Sequence, residues 1–244
     1  IFQKVLQRNG IPEGVVSMIN GDYKVGEFLT RDERIPLISA TGSVRMGKIV
    51  GMAVAQRLGR SLLELGGNNA IIMDESADLE MCIPGIVFGS VGTAGQRCTS
   101  TRRLFVHDSI MERVTAALVK AYKQVRIGDP LDPLTLMGPL TDEASVARFE
   151  AAVESAVNEG GEVLAGGHRI DRPGSFVEPT IIRVKNEWEI VQSETFAPIL
   201  YVIPFSDLDD AIRMQNDVAQ GLSSAIFTMN MRNAERFLSA VGSD

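Results

Sequence analysis

The stretch that decides the fold reads Ser61-Leu62-Leu63-Glu64-Leu65-Gly66-Gly67-Asn68-Asn69-Ala70-Ile71-Ile72-Met73. It contains two apolar runs of strand length on either side of a double glycine. Upstream, another strand-like run at 35–40 leads into the pattern of a long helix at about 44–58. Strand, helix and strand at this spacing predict a parallel sheet with crossover helices, and hence an α/β fold.

The same alternation continues along the rest of the chain. Pro84 and Gly85 interrupt one helical pattern and predict a kink or a break there. The double glycine at 66–67 predicts a boundary between two domains, 1–66 and 67–244. Further strands are predicted at 15–19, 103–107, 162–165, 177–184, 198–205 and 223–228, and helices at 1–8, 22–31, 78–92, 109–126, 142–159, 207–216 and 232–241.

The composition excludes several classes of protein. With 244 residues, of which 45% are hydrophobic, the chain can bury a sizeable core. Its net charge of −7 and pI near 5.0 predict no nucleic-acid binding, because that function needs a basic face. No apolar run is long enough for a membrane-spanning helix, so no membrane partner is predicted.

The cysteines and histidines are few and isolated. Cys82 and Cys98 lack CxxC spacing, which argues against a disulfide framework and predicts a cytoplasmic location. A mitochondrial location stays open if a transit peptide preceded the chain. His107 and His168 stand alone, so neither a metal site nor a Ser-His-Asp hydrolase is predicted. Because the chain opens inside a helical pattern without a start methionine, we expect it to be an excerpt of a longer protein.

A glycine turn before the long helix is a candidate phosphate site. It reads Thr41-Gly42-Ser43-Val44-Arg45-Met46-Gly47-Lys48, and free N–H groups and the helix dipole favour an anion there. The spacing GxxxxGK approaches that of a P-loop, but Ile49 stands where the Mg²⁺-binding hydroxyl belongs. A dinucleotide pyrophosphate site and an ordinary helix start remain equally open from the spacing.

Cys98 is the candidate nucleophile. It lies in Gly95-Gln96-Arg97-Cys98-Thr99, where small residues before a strand let a ligand approach the thiol. Only about 3% of a thiol with an ordinary pKa is ionised at pH 7, so a nearby cation or helix start would be needed. Cys82 lies on an apolar helical pattern and is predicted to be a small core residue. A structural role for Cys98 is an equal alternative.

Two carboxylates are candidates for a role beside the thiol. Glu64 ends an apolar strand, where it is either exposed or a base whose pKa is raised towards neutrality by desolvation. Glu194 lies in Glu194-Thr195-Phe196-Ala197-Pro198. That segment is either a strand entry determined by its proline or a site for a ribose hydroxyl beside an aromatic ring.

Four of these segments together resemble the aldehyde dehydrogenase superfamily, in that family's order and near its spacing. They are 41–47, 64–68, 95–98 and 194–198. The amino-acid sequences of the segments 64–72, 91–99 and 221–228 resemble those of the family-7 branch, the α-aminoadipic semialdehyde dehydrogenases. The resemblance implies a partial Rossmann-type NAD-binding domain over 1–66, followed by an α/β catalytic domain with a parallel sheet over 67–244.

The resemblance also implies a reaction and the residues that perform it. Cys98 would attack an aldehyde to give a thiohemiacetal, hydride transfer to NAD would leave a thioester, and Glu64 would activate the water that hydrolyses it. Arg97 would bind the carboxylate of an acidic semialdehyde such as α-aminoadipic semialdehyde, a role in lysine catabolism. The implied cofactor contacts are Gly42, Ser43 and Gly47 at the pyrophosphate, Gly26 near the adenine, Leu65 at the nicotinamide amide, and Glu194 with Phe196 at the nicotinamide ribose.

Members of the superfamily are considerably longer than these 244 residues. The lysine that contacts the adenosine ribose would lie upstream, which leaves the choice between NAD and NADP open. The asparagine of the oxyanion hole would also lie upstream, and the loss of one such donor lowers a rate about 100-fold or more. The isolated chain is therefore expected to be poorly active or inactive. The resemblance implies a homo-oligomer, a dimer or tetramer, for the full protein; a noncatalytic nucleotide-binding or structural protein with the same fold is the alternative.

Overall fold

The computed structural model describes residues 2–243. The chain divides into two compact units, Ile1–Leu65 and Gly66–Asp244. Residue 1 of the first predicted helix and residue 244 of the second predicted domain lie outside the described residues. The predicted α/β fold with a parallel sheet is confirmed. The limits and roles of the predicted domains, 1–66 and 67–244, stay predictions.

The first unit contains two parallel strands and the helix that connects them. Its elements are α1 (Phe2–Arg8), α2 (Tyr23–Arg31), β1 (Leu37–Thr41), α3 (Val44–Gln56) and β2 (Arg60–Glu64). Thr41 lies opposite Glu64, and the N–H of Gly42 donates to the Glu64 carbonyl (3.0 Å), so both strands end together. Helix α3 begins where the Ser43 hydroxyl accepts a hydrogen bond from the N–H of Met46 (3.2 Å).

The strand predicted at 15–19 is wrong. A strand needs a neighbour whose backbone groups pair with its own, and only β1 and β2 pair among the described residues of the first unit. Burial does not hold the segment extended either, because Val15, Val16, Met18 and Ile19 are exposed. The other elements predicted for this unit are found, with ends shifted by up to two residues.

The second unit is built on a six-stranded sheet. Its strands are β3 (Ala70–Met73), β4 (Arg103–His107), β5 (Glu162–Ala165), β6 (Thr180–Arg183), β7 (Ile199–Phe205) and β8 (Ser224–Phe227). Their order is β5-β6-β7-β4-β3-β8, and all neighbours are parallel except β5, which is antiparallel to β6. A parallel sheet is covered on both faces, and β3 accordingly is buried along its whole length.

Helices accompany this sheet at α4 (Leu79–Val91), α5 (Met111–Tyr122), α6 (Glu143–Asn158), α7 (Glu189–Gln192), α8 (Leu208–Asn216) and α9 (Met231–Phe237). Helix α4 starts where the Asp78 carboxylate accepts from the N–H of Glu80 (3.0 Å). It then continues through Pro84, so a break at that residue is wrong. Burial of Cys82, Ile86, Ser90 and Val91 along the helix offsets the hydrogen bond that the proline cannot make.

Two short pieces of the second unit have no counterpart in the sequence prediction. One is the single-turn helix α7. The other is a 3-10 turn, Gly92–Gly95, in which Thr93 and Ala94 have the left-handed φ values of 57° and 52°. Non-glycine residues rarely adopt this conformation, and the apolar, helix-like pattern before the turn gave no sign of it. The turn ends helix α4 and leads the chain towards Cys98.

The parallel strands begin at a common edge of the sheet, which we call the amino edge. Three of the segments that reach it just before a strand starts are the Gly66 turn (66–69) before β3, the Cys98 loop (95–101) before β4, and the Glu194 loop (194–198) before β7. The opposite side, where β3 and β8 end, is the carboxyl edge. No helix within residues 2–243 is long and apolar enough to cross a membrane.

Candidate active site

Cys98 lies in the Cys98 loop with a partly exposed side chain. The loop is held through its backbone by a residue of the Gly66 turn, because the Asn69 amide donates to the carbonyls of Cys98 (2.7 Å) and Ser100 (2.9 Å). Within the loop, Ser100 N–H donates to the Arg97 carbonyl (3.0 Å) and Arg97 N–H to the Ser100 hydroxyl (3.2 Å). The backbone around the thiol is therefore fixed while the thiol itself stays accessible.

Arg102 is the buried cation of the amino edge. Its side chain is 2% exposed, and its guanidinium reaches all three segments that meet there. Burial lowers the pKa of Arg102, which the nearby Glu194 carboxylate partly offsets. Its acceptors are the carbonyls of Gly67 (3.2 Å), Gly95 (3.2 and 3.3 Å), Arg97 (3.2 Å) and Thr195 (2.6 Å), and Oε1 of Glu194 (3.2 Å).

Within residues 2–243, the Glu194 carboxylate accepts hydrogen bonds through only one of its oxygens. Oε1 accepts from the N–H of Gly67 (3.3 Å) and from Arg102 Nη2 (3.2 Å). Oε2 accepts no hydrogen bond from the described residues, and the side chain keeps 17% exposure. A Cβ at Gly66 would overlap Oε2, so a glycine is needed for the carboxylate to lie there. This oxygen can accept a hydrogen bond from a ligand.

The Cys98 loop and the Glu194 loop approach each other closely at Gly95. This residue has a φ of +67°, and a Cβ there would overlap the carbonyl of Ala197. Both constraints require glycine. Beside this contact the Phe196 ring is 44% exposed, with the Arg102 guanidinium 5.3 Å from its centre. An exposed ring next to the free Glu194 oxygen suits the packing of a sugar or a flat heterocycle.

Arg97 turns away from its own loop towards helix α4. Its guanidinium lies 4.9 Å from the centre of the Phe88 ring, and Nη2 donates to the Phe88 carbonyl (2.9 Å). A Cβ at Gly92 would lie 2.5 Å from the same nitrogen. The Phe88 ring is 70% exposed, so the guanidinium is near the surface, and within residues 2–243 it retains unused donors. Nε, which is buried, has no partner among the described residues.

The phosphate-site residues of the first unit lie where β1 ends and α3 begins. The first turn of α3 contains no acidic residue, and the first N–H groups of a helix lack intrahelical partners. Ser43 uses its hydroxyl as the helix cap, so its contribution to an anion site would come from the backbone. Gly42 and Ser43 are exposed. This donor set fits a pyrophosphate.

The remaining residues predicted in the first unit have different surroundings. Gly47 is buried, and a Cβ there would lie 2.5 Å from the Leu65 side chain, so it lets α3 approach the residue after β2. Gly26 lies inside α2, where a Cβ would meet nothing within 4 Å, so no close approach explains that glycine. The Glu64 side chain is exposed.

Cys82 and His107 lie away from the amino edge. Cys82 is 3% exposed, and burial, with the charges of Asp78 and Asp74, raises its pKa to about 11. His107 lies at the far end of β4 with its ring edge-on to Phe205, and His168 is exposed. Residues 2–243 contain no cluster of His, Cys, Asp or Glu suited to a metal ion.

Sequence reasoning missed Arg102 and Asn69, which contact the site through backbone carbonyls. The signal for Arg102 was present, because two consecutive arginines begin an otherwise apolar strand that is buried on both sides. A charged residue in such a place needs partners. For Asn69, the doubled asparagine after the double glycine was the corresponding sign.

These features correspond to a known protein family. A model described as "Aldehyde dehydrogenase family" matches residues 1–243, and the chain belongs to that family. Among curated proteins it is similar to the α-aminoadipic semialdehyde dehydrogenase of Bos taurus, with 50% identity over the whole chain and 46% of the relative. The aldehyde dehydrogenase family 7 member B4 of Arabidopsis thaliana is 44% identical over the whole chain and 48% of its own length. The chain spans about half the length of the curated relatives it matches.

Solved structures agree with this assignment. HpcC from Thermus thermophilus superimposes with a TM-score of 0.92 at 33% identity, over 96% of this chain and 47% of that one. The betaine aldehyde dehydrogenase of Staphylococcus aureus, solved in complex with NAD⁺, gives a TM-score of 0.91 at 31% identity, over 96% of this chain and 48% of that one. The fold is therefore that of an aldehyde dehydrogenase.

Proposed function

We propose that the protein of which this chain forms part oxidises an aldehyde to a carboxylic acid with NAD or NADP, through a covalent bond to Cys98. The observation that carries the proposal is the arrangement of the amino edge. There, one buried guanidinium binds both the backbone of the loop that carries a partly exposed thiol and a carboxylate whose second oxygen accepts no hydrogen bond from residues 2–243. Membership of the aldehyde dehydrogenase family supports it.

Cys98 has the accessibility that a nucleophile needs. Its thiolate would attack the aldehyde carbon to form a thiohemiacetal, and loss of hydride from that carbon would leave a thioester. The N–H of Cys98 donates to no acceptor in the described part of the chain, so it can stabilise the oxyanion that forms on attack. Water would then cleave the thioester, release the acid and restore the thiol, with Glu64 as the proposed base.

Each unit has residues that suit one part of a nicotinamide dinucleotide. Gly42, Ser43 and the start of α3 supply N–H donors for a pyrophosphate, and Glu194 Oε2 with the exposed Phe196 ring supplies an acceptor and a surface for a ribose. When bound, the cofactor would accept the hydride. Gly47, with the Leu65 it contacts, would keep α3 in place behind that turn. Gly26 keeps its proposed position near the adenine, although no contact of this structure supports it.

An acidic semialdehyde is the proposed substrate, because Arg97 presents unused donors near the surface beside Phe88. A guanidinium binds a carboxylate at two points. The name of the Bos taurus relative, α-aminoadipic semialdehyde dehydrogenase, suggests which semialdehyde to test first.

The test uses the full-length protein and its two cysteines. NADH formation is followed by absorbance with α-aminoadipic semialdehyde, a neutral aldehyde of similar length and a nonaldehyde control. We expect Cys98→Ser to lose activity by about 100-fold or more, and Cys82→Ser, the matched control, to keep it. If wild type forms no NADH with any aldehyde but binds NAD, the noncatalytic nucleotide-binding alternative holds instead.

A second experiment tests whether Arg97 recognises the carboxylate of the substrate. Arg97→Ala should lower kcat/KM about tenfold or more for the acidic semialdehyde, since a charged hydrogen bond is lost. The neutral aldehyde should be affected much less. Equal losses for the two substrates would mean that Arg97 supports the loop and does not recognise a carboxylate.

A further inference from the structure

Arg102 connects the residues proposed for chemistry with those proposed for the cofactor. Through Nη2 it binds the carbonyl of Arg97, the residue before the nucleophile, and Oε1 of Glu194. Through Nη1 it binds the carbonyls of Gly95 and Thr195, and through Nε that of Gly67. One side chain thus contacts the Gly66 turn, the Cys98 loop and the Glu194 loop.

The shape of a guanidinium is needed for this set of contacts. It offers five N–H donors in one plane, and the five acceptors come from segments up to 93 positions away in the sequence. A lysine at this position would keep the positive charge but offer three donors from a single atom. It could satisfy part of the set, and the remaining buried carbonyls would lack partners.

The charge of Arg102 also determines the orientation of the Glu194 carboxylate. Because Oε1 is engaged with Arg102 and with the N–H of Gly67, the carboxylate is held in one orientation. Its second oxygen then points away from these donors and remains free. Without Arg102 the carboxylate would lose one of the two bonds that orient it.

We propose that Arg102 is a positioning residue that couples the Cys98 loop to the Glu194 carboxylate, so that the nucleophile and the ribose acceptor are held together in their working arrangement. Arg102 acts through these groups and does not touch the substrate. The inference rests on the proposed function, since it assigns a purpose to the same site.

The adjacent Arg103 is a matched control. It is fully buried and also lies at the start of β4, but within residues 2–243 none of its donors reaches the Cys98 loop or the Glu194 loop. Its acceptors are the carbonyls of Asn68 (3.0 Å), Met214 (3.0 Å) and Gln215 (2.9 Å) and the side-chain oxygen of Asn186 (3.1 Å). A lysine at either position removes a buried guanidinium, but only at 102 are the Cys98 loop and Glu194 affected.

The experiment compares Arg102→Lys, Arg103→Lys and Glu194→Gln in the full-length protein. Three quantities are measured: the thermal midpoint, the Kd for NAD by calorimetry, and the rate at which iodoacetamide alkylates Cys98, followed by mass spectrometry. Both lysine variants should lower the thermal midpoint. Only Arg102→Lys should weaken NAD binding, about tenfold, and change the alkylation rate, about threefold.

Glu194→Gln keeps the proposal testable if Arg102→Lys does not fold. Because Arg102 holds both groups, loss of the Glu194 charge should also change the alkylation rate of Cys98. The proposal is overturned if that rate is unchanged, or if Arg103→Lys weakens NAD binding as much as Arg102→Lys does. A wild type that does not bind NAD would instead contradict the proposed function.

Discussion

The amino and carboxyl edges of the six-stranded sheet each contain a buried charged residue, and the two are held differently. At the amino edge, Arg102 donates to backbone carbonyls of three segments and to the Glu194 carboxylate. At the carboxyl edge, Asp74 is 1% exposed, and its donors within residues 2–243 are side chains and one N–H close to the ends of β3 and β8. Its donors are Ser76 N–H (2.8 Å) and Oγ (2.7 Å), the Thr228 hydroxyl and the Asn233 amide (2.8 Å).

The difference lies in what each edge leaves unused. Both oxygens of Asp74 are occupied by the protein, so the carboxyl edge has no acceptor to offer at that residue. The amino edge leaves Glu194 Oε2 free and Cys98 partly exposed. Ligands of open α/β sheets usually bind beyond the carboxyl ends of the strands. In this unit the candidate site is at the opposite edge. Side chains with unused hydrogen-bonding groups therefore indicate the position of the site better than the direction of the strands does.

The largest effect is expected from alanine at Gly95 on the amino edge. The left-handed backbone and the overlap with the Ala197 carbonyl should cost more than about 3 kcal/mol of stability. The control is Gly85→Ala in helix α4, where a Cβ would make an ordinary contact of 3.4 Å with Phe227, at the end of β8. That change should be neutral or slightly stabilising. Urea denaturation of both variants measures the difference, and similar losses would contradict the comparison.

A smaller effect is expected from Asp74→Asn on the carboxyl edge. The amide preserves the shape but brings a second set of donors towards Ser76, Thr228 and Asn233, which should cost about 2 kcal/mol. NAD affinity and Cys98 alkylation should stay at wild-type values, because no amino-edge group contacts Asp74. A change in either, in protein that is otherwise folded, would show that the two edges are coupled.

The pH dependence of stability provides the third prediction. Burial alone would raise the pKa of Asp74, but hydrogen bonds from Asn233, Thr228 and Ser76 outweigh it and hold the pKa below its ordinary value. The ionised carboxylate therefore stabilises the fold above the unfolded pKa of about 4, and this stabilisation is lost as the pH falls from there through the lower folded value. Urea unfolding between about pH 6 and about pH 3 should show a shallower decline for Asp74→Asn than for wild type. Parallel curves would contradict the assignment.

The smallest effect is expected from Cys82→Ala, beside the carboxyl edge. The side chain is small, so its loss should cost about 1 kcal/mol, with NADH formation unchanged. Since burial raises its pKa to about 11, Cys82 should also stay unlabelled by iodoacetamide near neutral pH in native protein, whereas Cys98 is labelled. Mass spectrometry of the peptides checks both thiols. Labelling of Cys82 at a rate like that of Cys98 would remove the contrast between the edges.

Much of the fold could be predicted from the sequence because strands and helices carry local periodicity. The strands at 103–107 and 162–165 were predicted with their final limits. The segment 15–19 has the same apolar pattern but forms no strand, because a strand depends on a neighbour that no local pattern specifies. The break considered at the proline of α4 does not occur, since burial along the whole helix outweighs one missing hydrogen bond.

The residues of the candidate site also fall into two groups, those that short motifs indicate and those that they do not. Cys98, Glu194, Arg97 and the glycine turn could be found from short motifs, and their roles stay predictions. Asn69 and Arg102 could not be assigned a purpose, because their partners are backbone carbonyls. Every residue has such a carbonyl, so no residue type or spacing records the contact.

By itself, then, the sequence determined the α/β alternation, the parallel sheet and the family, because these follow from residue patterns within short windows. Only the tertiary structure decided which segments meet at each edge. Arg102 contacts a residue 93 positions away, and Asp74 contacts one 159 positions away. Contacts over such separations arise from the packing of strands and helices, which brings distant backbone groups to one place. For that reason Glu194 and Asp74 are both simply acidic residues in the sequence. Only in the fold does one carboxylate keep an oxygen free of bonds within residues 2–243 while both oxygens of the other are hydrogen-bonded.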